Sequence, residues 1–349
     1  MPVTKAENPE RLSRTEGKRI GTQMKDLSDA PHRLVDLKEI SEDPGPYCMS
    51  FRFDLNPLIR SIEKWGLLFP PFTAKNESGN MDVVIGFRRI LALKSLKWVR
   101  APMIDLSEKN FSALDLLLLN LCDNLAVRSF NDVEKGMILN RLKPHLSEKL
   151  LRKEYLPLLG IPARESIYHV YENLEELDNE IKVSLADGTI PFKTVKALQE
   201  IDPESRSILF EWIRDLRFNV NQQGFFIETT VDIAIKEGIS IPQLMREPPM
   251  LKIREDTELN NPQKARRLLA HLRSRRFPLL SHSEKAFEQK ICNLGLPDNV
   301  KISHPPFFES PDYRLEILFK SGKVLDETIK ALAVLKELER IGDPWDEVP

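Results

Sequence analysis

The stretch that most constrains this chain is residues 81–97, MDVVIGFRRILALKSLK. Val83, Val84 and Ile85 form a short β-branched run, which predicts a buried strand. Gly86 interrupts it, and Ile90, Ala92, Leu93 and Leu96 then recur on one side of a predicted helix. A strand, a glycine turn and a helix therefore follow one another within seventeen residues. Arg88 and Arg89 fall in the first helical turn, where the partial positive charge of the helix start disfavours cations. Two guanidinium forks beside free backbone N–H groups make an anion site, with phosphate as the natural occupant. A pair of solvated arginines has the same local pattern, and the stretch alone leaves both readings open.

A chain of 349 residues is long enough for two or three domains with real cores. The composition is that of a soluble globular protein, with 41% hydrophobic residues. The net charge of −2 excludes a global basic field, so any nucleic-acid contact must use local patches. The apolar run of residues 116–119 is far too short to span a membrane, and no apolar signal segment opens the chain. Cys48, Cys122 and Cys292 are scattered, which favours a reducing, cytoplasmic setting over a disulfide framework or metal knuckle.

Residues 1–30 are polar and charged and read as a flexible tail. Residues 31–107 read as a small α/β domain. It has a strand over 34–37, a short strand over 51–53, and a helix carrying Leu55, Leu58, Ile59, Ile62 and Trp65 that ends at Gly66. Two strands follow at 67–72 and 83–85, flanking a polar turn. Residues 108–247 read as all-helical, beginning with a capping pattern at Ser112 and Asp115. That helix is expected to run to about Leu121. Asn120, Asn124 and Arg128 share one face if it continues. Asp123 and Asn124 could hold a metal on bound phosphates, with Arg128 on the phosphates themselves; a polar helix end is the plainer alternative. Asn131 and Glu134 form a second N-cap pattern.

Residues 150–174 resemble a helix-turn-helix, with Gly160 at the turn. Arg152, Lys153 and Arg164 could meet DNA phosphates, while Ser166, Tyr168 and His169 could face base edges. Pro157 should shorten or kink the first helix, and Glu165, Glu172, Glu175 and Glu176 make the second acidic. Pro242, Pro248 and Pro249 mark a linker. Residues 248–349 read as a C-terminal α/β domain. Residues 261–283 carry Lys264, Arg266, Arg267, Arg273, Arg275 and Arg276 with no acidic residue, either a nonspecific phosphate-binding patch or a solvated helix face. Strands near Val300–Ile302 and 314–319 and a helix over 325–338 close the chain.

The order of motifs carries a family resemblance. Ser61-Ile62, Gly66-Leu67-Leu68 and Pro70 precede the box Gly86, Arg88, Arg89, Ala92, and Asp123-Asn124 and Arg128 follow. This order resembles the N-terminal domain of ParB-type partition proteins, and the likeness runs over residues 35–201. The resemblance implies an α+β fold: a small ParB/sulfiredoxin-like α/β N-terminal domain, an all-helical middle domain with the helix-turn-helix, and a small α/β C-terminal domain. It implies a homodimeric DNA clamp that binds CTP with Mg²⁺, loads at a palindromic site and works with a ParA-like ATPase. Gly86, Arg88, Arg89, Asp123, Asn124 and Arg128 would then hold the nucleotide. The family's box has glutamate where this chain has Phe87, so CTP hydrolysis should be slow or absent. The sulfiredoxin thiol position is also Phe87, which argues against that activity. A transcriptional regulator or adaptor without nucleotide, and a metal-dependent nuclease using Asp115 and Asp123, are the competing readings. No Walker A sequence, GxGxxG or HExxH pattern is present.

Overall fold

The computed structural model describes residues 29–310 and 312–335, with Leu27, Leu338, Ile341 and Gly342. The charged segment bearing Arg11, Arg14, Lys18 and Arg19 lies outside the described residues. The chain forms two compact units, Met1–Glu200 and Ile201–Pro349.

In the first unit, strands β1 (His32–Asp36), β2 (Phe72–Lys75), β3 (Met81–Ile85) and β4 (Arg100–Asp105) form one mixed sheet in the order β1-β4-β2-β3. The β1/β4 and β2/β3 pairs are antiparallel, and β2/β4 is parallel. Helices α1 (Asn56–Trp65) and α2 (Phe87–Ser95) cover one face, where Ile62, Phe87, Ile90 and Leu93 pack with Val83, Ala101 and Met103. Helix α3 (Ala113–Val127) covers the other, packing Leu116 and Leu119 on Ala74, Val84 and Leu106. Successive side chains of a strand point to opposite faces, so Val83 and Val84 serve different layers. Burial on both faces is why β3 reads as an unbroken apolar run. It is also why the first unit does not close at residue 107: without α3, half of the sheet would face water.

Two expected strands change. Residues 51–53 make no ladder. The Phe51 N–H donates to Glu134 Oε1 at 3.1 Å, and its carbonyl accepts from Asn131 Nδ2 at 3.0 Å. Side chains satisfy the backbone groups that a ladder would otherwise pair. The strand expected over 67–72 begins only at Phe72. Gly66 does end α1, with φ of 73° and its N–H on the Ile62 carbonyl.

Helix α4 (Asp132–Leu142) opens with a capping box between Asn131 and Glu134. It is followed by α5 (Glu148–Leu150), a π-helical turn (Leu151–Tyr155), α6 (Leu156–Leu158), α7 (Glu165–Glu172), α8 (Asn179–Ala186) and α9 (Phe192–Gln199). Pro157 neither breaks nor shortens this run. The turn before it widens, and the Leu156 N–H reaches the carbonyl of Leu151. Gly136 on α4 lets the α7 end come close, since a Cβ there would stand 2.7 Å from the Tyr171 carbonyl oxygen.

The second unit contains α10 (Pro203–Asp215), α11 (Val220–Glu237), α12 (Ile241–Met245), α13 (Pro248–Glu255), α14 (Asn261–Arg276) and α15 (Pro278–Asn293). An antiparallel hairpin of β5 (Val300–Ser303) and β6 (Arg314–Ile317) and helix α16 (Gly322–Val334) follow. The prolines expected to mark a linker instead start helices. Pro242 lies in the first turn of α12, and Pro248 and Pro249 in that of α13, where a missing N–H costs nothing. Among the described residues, no helix is long and apolar enough to cross a membrane.

Candidate functional site: an arginine-lined cleft at the start of α2

The strand-glycine-helix stretch builds one wall of a cleft of about 200 Å³. All six residues expected to hold a nucleotide line it: Gly86, Arg88, Arg89, Asp123, Asn124 and Arg128. Gly86 is the N-cap of α2 at φ 94°, ψ 25°, a conformation that L side chains rarely adopt. A Cβ at this position would stand 3.2 Å from Pro71 Cβ and 3.3 Å from Arg89 Nη1. No side chain caps α2, so its first amides are open to a ligand.

The three arginines are not equivalent. Arg89 donates from Nη1 to the Phe69 and Pro70 carbonyls at 3.2 and 3.4 Å. Burial pulls its pKa below the ordinary arginine value, opposed by the charge of Asp123. Arg88 donates from Nε to Ser50 Oγ and from Nη2 to Glu134 Oε1, both at 3.2 Å, and lies over the Phe53 ring. Its pKa is lowered too, by burial and then by Arg128. Arg128 is spent within the protein. Nε donates to Asn124 Oδ1 at 2.6 Å, Nη1 to Glu134 Oε2 at 2.7 Å, and Nη2 to the Met49 carbonyl and Ser50 Oγ at 2.8 and 3.2 Å. Helix α3 ends at Val127, and Arg128 is extended at φ −154°. The expected Asn120–Asn124–Arg128 helix face thus stops one residue short, and the Arg128 side chain folds back to complete it.

Glu134 and Ser50 are the residues the sequence did not point to. Glu134 is 1% exposed and accepts from Arg88, Arg128 and the Phe51 and Asn131 amides. Its only sequence signal is the capping pattern with Asn131. Ser50, just before the strand expected over 51–53, gives none.

Asp123 is exposed at the rim and free to offer an oxygen. Asn124 Oδ1 already accepts from Arg128, which leaves it one lone pair, while its Nδ2 donates to Asn120. Mg²⁺ keeps most of its waters and needs one or two protein oxygens, so Asp123 with Asn124 fits it. Such an ion would neutralise phosphate charge. Asp115 offers no second carboxylate. It is buried in the capping box with Ser112, both of its partner bonds lying on α3's own start. Among the described residues, no three His, Cys, Asp or Glu side chains cluster for a metal. Phe87 packs in the core with Ile90 and Leu93.

Of the residues expected on DNA, Lys153, Arg164, Ser166 and His169 are exposed around α5 to α7. Tyr168 is corrected: at 1% exposure it belongs to the core and cannot reach a base. Arg152 is tied to Glu148 and Glu165, each at 3.1 Å, and His169 Nδ1 lies 3.0 Å from Glu172.

The basic run of α14 is corrected as a field of free cations. Arg273 forms a two-bond fork with Glu284 at 2.7 and 2.8 Å. Arg275 bridges Glu237 and Glu247, whose hydrogen bonds push it further toward the charged form. Arg276 pairs with Glu228 and Asp232 and lies over Phe277. These arginines tie α14 to α11, the α12–α13 turn and α15. Arg275→Ala is therefore expected to lower the second unit's stability by about 1–2 kcal/mol, while the salt slope of any DNA binding stays unchanged. Thermal denaturation beside a salt titration checks both; an unchanged melting point with a shallower slope would restore the phosphate role.

The fold and cleft together define a class: a small mixed-sheet domain with an arginine-lined cleft, continued by a helical segment. No family model matches the chain. A curated relative, the "Probable chromosome-partitioning protein ParB" of Chlamydia muridarum (strain MoPn / Nigg), is 26% identical over 198 residues, covering 54% of this chain and 67% of the relative. Over that span the chain resembles a ParB-type partition protein. Solved structures that resemble it include the C-terminally truncated ParB of Caulobacter crescentus complexed with CTP-γ-S (20% identity, TM-score 0.25, covering 50% of this chain and 94% of that one). The same protein complexed to the centromeric parS site is 17% identical at a TM-score of 0.29, covering 60% and 95%. A Pnob8-like ParB-N domain is 11% identical at 0.30, covering 70% and 97%. At these TM-scores the superpositions add nothing to the fold described above.

Proposed function

We propose that this chain is a ParB-like, DNA-binding partition protein whose first unit binds CTP with Mg²⁺ in the cleft at the start of α2. One observation carries the nucleotide part. Six residues from two separate sequence segments, 86–89 and 123–128, line a single cleft, with two half-buried guanidinium groups whose charged form burial disfavours. An anion relieves that cost, and a triphosphate supplies oxygens to both forks and to the open amides of α2. Asp123, with Asn124, would hold Mg²⁺ on the same phosphates. Turnover should be slow or absent, because Phe87 is an apolar core ring that can position neither water nor metal.

The DNA part rests on the relationship to the Chlamydia protein and on the exposed Lys153, Arg164, Ser166 and His169 around the Gly160 turn. Exposed Leu315, Leu318, Phe319 and Ile329 on the terminal hairpin and α16 suit a homodimer joined through this end, matching a two-fold DNA site.

Calorimetric titration of the four ribonucleoside triphosphates with Mg²⁺ tests the central claim. CTP is expected to bind at micromolar concentrations and to raise the melting temperature by mass-action linkage. No heat and no thermal shift with any of the four at millimolar concentration would leave a DNA-binding regulator without nucleotide.

A further inference from the structure

We propose that Glu134 is the resident counter-ion of the anion cleft, holding Arg88 until a phosphate takes its place. The proposal rests on the reading of the cleft as a nucleotide site and specifies how the empty site is held.

The argument starts from the two carboxylate oxygens. Oε2 accepts from Arg128 Nη1 at 2.7 Å and from the Asn131 N–H at 3.0 Å. Oε1 accepts from Arg88 Nη2 at 3.2 Å and from the Phe51 N–H at 3.1 Å. Arg128 is the tight partner, with every side-chain nitrogen engaged and 17% of its side chain exposed. Arg88 is the loose one, longer by half an ångström, 32% exposed and without a protein acceptor on Nη1 among the described residues. If Arg88 swings toward a ligand, Oε1 keeps the Phe51 N–H and Oε2 keeps Arg128. No buried acceptor is orphaned, so release carries little desolvation cost. In the empty cleft the same carboxylate separates two cations that otherwise repel.

Glu134 therefore has two opposite effects. It stabilises the empty protein, and it subtracts one negative charge's worth of attraction from the site that a phosphate must enter. Glu134→Gln separates them. Glutamine serves at the third position of a capping box as glutamate does, so the start of α4 is kept while the charge is removed.

The expected result is a lower melting temperature for the empty Glu134→Gln protein, together with CTP and inorganic tripolyphosphate binding about tenfold tighter than in wild type. The gain should vanish when Arg88→Ala is added, because it runs through that side chain. Glu134→Asp is the second variant. Aspartate caps a helix of this very chain at Asp115, and its shorter carboxylate should loosen Arg88 and give a smaller gain. Weaker or unchanged affinity in folded Glu134→Gln, or in Glu134→Asp where the first does not fold, would overturn the proposal. It would make Glu134 a group that positions Arg88 for the ligand. Wild-type protein that binds neither CTP nor tripolyphosphate would instead sink the nucleotide reading itself.

Discussion

Replacing Arg128 by alanine is expected to lower the stability of the first unit by about 3 kcal/mol, even though the residue lines the cleft. The Glu134 side chain is 2% exposed and its shortest bond is the one to Arg128, at 2.7 Å. Truncation leaves a buried carboxylate short of its main counter-charge, and such losses cost roughly 3–5 kcal/mol. Arg88 and two amides remain on Glu134, which places the loss at the lower end. Asn124 Oδ1 and the Met49 carbonyl lose their donor as well. For a unit of this size the melting point should drop by roughly 6–12 °C. Arg128→Lys restores the charge but not the planar fork that reaches Asn124, Glu134 and Met49 together, so it should recover only part. Circular dichroism melts of the three proteins decide the matter. A drop below about 1 kcal/mol would show that Arg128 is held in reserve for a ligand after all.

This outcome matters for the roles within the cleft. Arg128 was expected on phosphates from its place after Asp123-Asn124, yet all of its nitrogens face protein acceptors. The signal that could have reassigned it is Glu134, which reads locally as a helix cap. Its second role is nonlocal: Arg88 lies 46 residues away in the chain, and nothing in either segment's spacing refers to the other. Arg88 and Arg89 themselves were legible because their setting is local, a β-branched strand, a glycine and an apolar helix within one short stretch.

The same contrast governs the rest of the molecule. The start of α3 and that of α4 could be read because capping boxes span four residues. Phe51 was misread as a strand because its bonds go to side chains on Asn131 and Glu134. The basic run of α14 looked unopposed because its carboxylates come from Glu228, Asp232, Glu237, Glu247 and Glu284, all outside the run. Charge asymmetry in a sequence window reports composition, whereas folding decides whether the charges stay free.

Arg89→Ala should weaken CTP binding about 30-fold or more while leaving the fold nearly intact, the largest loss expected from any single side chain of the cleft. Arg89 differs from Arg128 in what the protein asks of it. Only Nη1 is used, on two carbonyls of the loop before β2 at 3.2 and 3.4 Å. Among the described residues Nε and Nη2 have no protein acceptor, and the Asp123 carboxylate only partly offsets the effect of burial on the group. Burial raises the cost of its cation, so a phosphate that pairs with it gains more than it would at an open surface. One charge-assisted bond of about 2 kcal/mol converts to a roughly 30-fold loss, and a second adds to it. The two long carbonyl bonds are weak by comparison, and their loss should cost the fold about 1 kcal/mol or less. Arg89→Lys keeps the charge without the fork and should bind between wild type and alanine. Isothermal titration with CTP, read beside a melt of each empty protein, separates affinity from stability. If Arg89→Ala binds CTP as wild type does, the phosphates do not sit at the start of α2, and the cleft built by residues 81–97 serves the fold alone.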